Sequence, residues 1–111
     1  MRPNKIKQMW RAGQYVTMGW LSISHGFTAE VMARQGFDTL CIDMQHGMTE
    51  MNEVWPMLQA ISQTDTVPVV RVPWNDPATI MKALDPHLVL TGDRVDMPMI
   101  GPGLNPLDEE A

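Results

Sequence analysis

Phe37-Asp38-Thr39-Leu40-Cys41-Ile42-Asp43-Met44-Gln45-His46-Gly47-Met48 is the stretch on which the reading of the chain turns. A short apolar run, Thr39 to Ile42, ends in an acid, Asp43, and His46 and Gly47 follow shortly after. An apolar run of this length bounded by polar residues predicts a buried strand. In α/β folds, ligands bind beyond the carboxyl ends of the strands, so an acid and a histidine at such a lip are well placed for chemistry. Taken alone, a strand end followed by a polar turn accounts for these residues. A second charged strand end later in the chain, Arg71, adds weight to the chemical reading.

Working outward, the pattern repeats. Lys5 to Ala12 predicts a short helix with Ile6, Met9 and Trp10 on one stripe and Gly13 as its stop. Val16 to Ile23 predicts a strand. Thr28 is a plausible N-cap for a helix over 29–35, closed by Gly36. After the strand ending at Asp43, Thr49 is the next candidate cap, with an incomplete capping box because Asn52 stands at the third helical position. The helix from Glu50 carries Val54, Met57, Leu58 and Ile61 at helical spacing, with a bend or late start expected at Pro56. Val67 to Val72 is an almost unbroken apolar run, as in buried parallel strands. Asp76-Pro77 makes a clean helix start, and Ile80, Met81 and Leu84 form the stripe of that helix. A helix followed by three strand–helix units with short connections predicts an α/β fold with parallel strands and right-handed crossovers.

The chain has 111 residues, of which 44% are hydrophobic and 19% charged, which suits one small globular domain rather than a disordered segment. Its formal net charge of -5 argues against nucleic acid as a partner. The single cysteine, Cys41, excludes an internal disulfide or a cysteine-rich metal site. No apolar run is long enough for a membrane span, and the polar N-terminus lacks a secretory core, so no membrane partner and a cytoplasmic location are expected. After Asp85 the chain becomes rich in Pro and Gly. The expected division is therefore 1–85, a folded unit, and 86–111, an irregular tail in which His87 to Leu90 could add one short strand.

Strand parity brings the charged ends together. Alternate residues point to opposite faces, so Asp43 shares a face with Cys41, Arg71 with Val69, and Trp20 with Met18. An acid, a guanidinium and an indole can thus converge at one mouth, with His46 on the loop above. Arg offers a fixed charge and a planar fork suited to carboxylates and enolates, and His is readily poised to take a proton near neutrality. Asp85, expected at the end of its helix, could orient an imidazole. The plainer alternatives are a satisfied Asp43–Arg71 ion pair, packing roles for Trp20 and Trp74, a capping role for Asp76, and no role for His25 and His87.

Gly-Trp-Leu at 19–21, Ala-Glu at 29–30, Gly-Phe-Asp at 36–38, Ile-Asp-Met-Gln-His-Gly at 42–47 and Val-Arg-Val-Pro-Trp-Asn-Asp-Pro at 70–77 resemble the HpcH/HpaI aldolase family. The resemblance covers about residues 5–85. It implies the first three β/α units of a TIM (β/α)8 barrel. The implied activity is that of a class II aldolase, a carbon–carbon lyase. Such enzymes cleave 4-hydroxy-2-oxo acids or 2-keto-3-deoxy sugar acids to pyruvate and an aldehyde, with Mg2+, Mn2+ or Co2+ as cofactor. Carried over, it makes His46 the base, Asp43 and Asp85 its supports, Arg71 the group holding the pyruvyl oxygen and enolate, and Trp20 a wall of the site. Gln45 departs from the Glu that many members carry.

The resemblance also implies what this stretch does not supply. The family's metal ligands, a Glu and an Asp, come from later strands, so no residue here is assigned to metal. A full barrel takes about 250 residues. The expectation is an inactive, truncated fragment of a pyruvate aldolase, arising from a frameshift, a gene fragment or a mis-called frame. Two other classes stay open: a non-catalytic remnant that binds 2-oxo acids weakly or not at all, and an interaction module that a partner chain completes. With five strands of a barrel missing, Met18, Trp20, Cys41 and Val69 are expected to lie uncovered and to promote self-association.

Overall fold

The computed structural model describes the backbone of residues 4–91 and 99–100 and the side chains of residues 4–84. The elements, in order, are α1 (Lys5–Arg11), β1 (Met18–Leu21), α2 (Gly26–Ala33), β2 (Thr39–Asp43), α3 (Met51–Ser62), β3 (Val67–Arg71), α4 (Pro77–Thr91) and β4 (Met99–Ile100). The strands form a 4-stranded sheet in the order β1-β2-β3-β4, and every neighbouring pair is parallel. The chain is therefore α/β, as its alternation of strand and helix predicts.

Parity divides the sheet into two faces. Leu21, Leu40, Ile42, Val70 and Val72 lie on one, and with Ala29, Ala33, Val54, Met57, Leu58, Ile61 and Ala83 from the helices they make the core. Helix α3 packs between α2 and α4. The close approach of α2 to the sheet is possible because small residues, Ala29 and Ala33, are the ones it buries. Gly19 serves the same end. A Cβ there would stand 2.6 Å from Leu40 Cδ2 and 3.2 Å from Phe37 Cδ2, so a larger residue at this position on β1 would require those side chains to shift. Every residue of β2 is buried, which is why its sequence shows no alternation between apolar and polar positions.

The other face carries the register rows Met18–Thr39–Val67, Trp20–Cys41–Val69 and Asp43–Arg71. Here an expectation needs correcting. Cys41 and Val69 are buried, at 0% and 2% exposure, whereas Met18 and Trp20 are 39% and 43% exposed. Cys41 stands on an inner strand between Trp20 and Val69, and a small side chain between register neighbours is walled in from both sides.

Several boundaries also differ from expectation. Helix α2 starts at Gly26, and its N-cap is His25, whose Nδ1 accepts from the Phe27 N–H, rather than Thr28. Helix α3 is capped at Glu50, whose N–H donates to the Glu53 carboxylate at 2.9 Å. Thr49 is instead buried and bonded to Ser24. Helix α3 starts at Met51 and passes through Pro56, so the late start does not occur. Proline removes one hydrogen bond but does not end a helix whose apolar face is packed. Helix α4 likewise continues past Pro86 to Thr91, so His87 to Leu90 are helical and not a strand. Its stripe is shifted as well: Ala83 is buried and Met81 is exposed. The fourth strand, Met99–Ile100, pairs with Val70 and Arg71 in a stretch where no strand period was legible.

Candidate active site

The carboxyl ends of β1, β2 and β3 bring three of the predicted residues into one cluster. Asp43 and Arg71 are register partners on adjacent strands. Their pairing is bidentate: Arg71 Nε donates to Asp43 Oδ1 at 2.9 Å and Arg71 Nη2 to Oδ2 at 2.6 Å. Trp20 lies one row lower on β1, diagonal to Asp43, and its indole N–H donates to Oδ2 at 3.0 Å. The guanidinium carbon of Arg71 sits 5.0 Å from the centroid of the Trp20 ring, a cation–π contact.

The same carboxylate shapes the loop that follows it. Asp43 Oδ1 accepts the backbone N–H groups of Gln45 and His46, each at 3.0 Å. Gly47 completes the turn, because a Cβ at this position would collide with the Asp43 carbonyl oxygen. At the far end of the loop, the Met48 N–H donates to Ser22 O at 3.4 Å, and the Ser24 hydroxyl donates to Met48 O. His46 stands between these two anchor points, exposed. Its support from Asp43 runs through its backbone and not through the imidazole. Asp85 lies within α4 rather than at its end, and its side chain is outside the described residues.

The electrostatics follow from these contacts. Burial alone would raise the Asp43 carboxyl. The Arg71 guanidinium, the Trp20 indole N–H and the two loop N–H groups outweigh that and hold it well below the usual carboxylate range. Arg71 is raised by its hydrogen bond to Asp43 and is permanently charged. Burial, together with the Asp43 charge, pushes the Cys41 thiol up to about 11, so Cys41 is an inert buried thiol.

With Nε and one Nη2 hydrogen turned toward Asp43, Arg71 keeps its Nη1 edge without a hydrogen bond among the described residues. The arrangement is a positive fork, held rigid from one side, backed by an aromatic ring and flanked by a histidine loop. A metal is a poorer fit to these side chains. Asp43 already accepts five hydrogen bonds. Among the described residues no group of three or more His, Cys, Asp or Glu side chains could hold a metal ion.

Asp43, Arg71, Trp20 and His46 were legible as a group. Trp20 acting as a hydrogen-bond donor to Asp43 was not, and neither were the roles of Ser24 and Thr49 in the loop. Gly following His46 was a local signal for a tight turn. No local signal links Ser24 to Met48, because they meet only when β1 and β2 lie side by side.

Comparison with known proteins places this geometry. Residues 16–102 match the HpcH/HpaI aldolase/citrate lyase family. The chain is 42% identical over 82 residues to a hydroxypyruvate/pyruvate aldolase of Rhizorhabdus wittichii, covering 74% of this chain and 33% of that protein. It is 40% identical over 82 residues to the 4-hydroxy-2-oxo-heptane-1,7-dioate aldolase of Escherichia coli, covering 74% of this chain and 31% of that enzyme. The crystal structure of an HpcH/HpaI aldolase/citrate lyase family protein from Burkholderia cenocepacia superposes with a TM-score of 0.69 at 39% identity, over 76% of this chain and 34% of that one. The chain belongs to the HpcH/HpaI aldolase/citrate lyase family. It spans about a third of the length of the curated relatives it matches.

Proposed function

We propose that the described residues are the opening β/α units of a (β/α)8 barrel and carry the enolate-binding part of a pyruvate aldolase site. The reaction is the retro-aldol cleavage of a 4-hydroxy-2-oxo acid or 2-keto-3-deoxy sugar acid to pyruvate and an aldehyde. The observation that carries this reading is Arg71. Its guanidinium is held in place by Asp43 and Trp20, and its remaining N–H edge carries no hydrogen bond among the described residues, which leaves it open to an anionic oxygen. Retro-aldol cleavage moves an electron pair onto the 2-oxo group as the carbon–carbon bond breaks. A positive fork already in place stabilises that charge without reorganisation. His46 is assigned the proton of the 4-hydroxyl, as general base. Asp43 is assigned the placement of both groups, Trp20 one wall, and Asp85 a supporting role. The family resemblance implies Mg2+, Mn2+ or Co2+, and the carboxylates for such an ion are assigned to a part of the barrel outside these residues. On this reading the 111-residue chain alone is inactive.

The test is pyruvate release from a 4-hydroxy-2-oxo acid. It is run with the chain alone and with the remaining two-thirds of a relative's barrel fused to it or supplied as a second chain. Turnover only in the completed protein, lost on Arg71→Ala, supports the reading. Turnover that survives the loss of both Arg71 and His46 overturns it. Completion by a second chain would also meet the interaction-module alternative.

A further inference from the structure

We propose that Ser24 is a positioning residue for His46, acting as the clasp that closes the 43–49 loop over the mouth of the sheet. The inference rests on the role assigned to His46 above and extends it to a residue on a different loop.

The loop leaves β2 at Asp43 and enters α3 after Thr49. Its first half is held by the Asp43 carboxylate through the N–H groups of Gln45 and His46. Among the described residues its second half is held from the loop after β1. Ser24 has one hydroxyl hydrogen, and the Met48 carbonyl takes it. The Ser24 oxygen lies 2.9 Å from the Thr49 hydroxyl oxygen. Because the Ser24 hydrogen is committed, Thr49 is the donor in that contact and Ser24 the acceptor. One side chain therefore satisfies a carbonyl and a buried hydroxyl on consecutive residues, while Ser22 O takes the Met48 N–H.

The geometry makes His46 the middle of a strap fixed at both ends. Gly47 keeps the strap tight, since only a residue without a Cβ lets the chain pass the Asp43 carbonyl. The imidazole itself has no hydrogen bond among the described residues, so its position is set by the backbone on either side. Releasing Ser24 frees the Met48–Thr49 end and leaves the Asp43–Arg71–Trp20 cluster untouched. The predicted effect is thus confined to the 43–49 loop that carries the histidine.

The experiment uses the full 111-residue chain and compares wild type, Ser24→Ala, Ser24→Thr and Thr49→Val. Hydrogen exchange reports the backbone, and carbethoxylation by diethyl pyrocarbonate reports access to His46. In Ser24→Ala the Met48 amide, which donates to Ser22 O, should exchange about tenfold faster, as expected when a neighbouring hydrogen bond of ordinary net strength is lost. His46 should be modified several-fold faster, and the Trp20 indole N–H signal should stay in place. Ser24→Thr keeps the hydroxyl and should restore both rates. Thr49→Val removes the donor alone and should give a partial effect, which keeps the test open if Ser24→Ala does not fold. Unchanged exchange and unchanged His46 modification in both Ser24→Ala and Thr49→Val would overturn the proposal. So would a Ser24→Thr chain that behaves like Ser24→Ala. These readouts need no turnover. A loosened His46 loop in a protein whose completed barrel shows no dependence on His46 would leave the clasp standing and sink the catalytic reading instead.

Discussion

Asp43 and Arg71 face each other across β2 and β3 as register partners joined by two parallel hydrogen bonds of 2.9 and 2.6 Å. The pair is nearly dry on the acid side, where Asp43 is 2% exposed. Removing Arg71 leaves Asp43 with the Trp20, Gln45 and His46 N–H groups but without a counter-charge, and breaking a buried pair costs up to about 3–5 kcal/mol. Arg71→Ala should therefore lower the stability of the chain by an amount of this order, measured by urea melts at neutral pH. A loss no larger than that of a surface substitution would show the pair to be unimportant to folding.

The pair also sets a pH dependence. The Asp43 carboxyl is held below its ordinary value in the fold, so the stability it contributes is complete above the unfolded carboxylate pKa of about 4. That contribution is lost as the pH falls through the lower, folded value. Wild type should lose stability relative to Asp43→Asn as the pH drops below about 4, and the difference between the two should be flat between about pH 6 and 8. Parallel curves for both proteins down to the acid limit would contradict the assignment.

Gly47 is the tightest point of the site. Gly47→Ala places a methyl against the Asp43 carbonyl, which is backbone and cannot rotate away. The turn must open, at a cost of about 1–3 kcal/mol. Amide shifts should move at Gln45, His46 and Met48. Gly13, where a Cβ would meet nothing, is the control for loss of a glycine. It has a φ of 71°, so its own cost comes from the backbone alone. Undisturbed loop shifts in Gly47→Ala would show that the turn has room to spare.

Cys41 should report the integrity of the sheet. It is buried and its thiol is pushed up to about 11. A thiol reagent at pH 8 should react only as fast as the chain opens, and denaturant should accelerate the reaction steeply. Prompt reaction in the native chain would mean that this face is open to solvent.

Self-association is the fifth expectation. β1 stands at the edge of the sheet, and Trp20 and Met18 are partly exposed beside it. Ile23, Met48 and Trp74, from the loops after the strands, and Phe27, in the first turn of α2, are more than half exposed. A strand edge with no neighbour among the described residues, next to exposed apolar side chains, favours association. Light scattering after size exclusion should show species larger than a monomer. A monodisperse monomer with no dye-binding surface would refute this.

Much of the fold was legible because it rests on local signals. The apolar runs at Thr39–Ile42 and Val67–Val72 and the Asp76-Pro77 helix start each identify an element without its neighbours. Asp76 does cap α4, accepting from the Thr79 N–H at 3.1 Å and the Thr79 hydroxyl at 2.7 Å. Parity allowed Trp20, Asp43 and Arg71 to share one face, and the strand register puts them there. What was illegible depends on contacts distant in sequence. Thr49 looks like a cap until Ser24 arrives to bond it. Cys41 looks uncovered until its register neighbours stand beside it. Pro56 looks like a bend or a late helix start because the packing that carries α3 through it is tertiary. Met99–Ile100 becomes a strand only because β3 offers a free edge.

The account turns on His46 and Arg71 acting on the substrate while Asp76 serves the fold alone. The most direct measurement is kcat/KM for pyruvate release by the completed barrel, comparing wild type with His46→Ala, Arg71→Lys and Asp76→Ala at saturating divalent metal. The His46 and Arg71 variants should each fall by about a hundredfold or more, the scale of a lost general base or a lost oxyanion partner. Arg71→Lys keeps the charge but loses the fork. Asp76→Ala should keep its activity within about twofold and lose only the 0.5–2 kcal/mol or so of stability that an N-cap contributes. Equal losses in all three folded variants, or full activity in His46→Ala, would contradict the account.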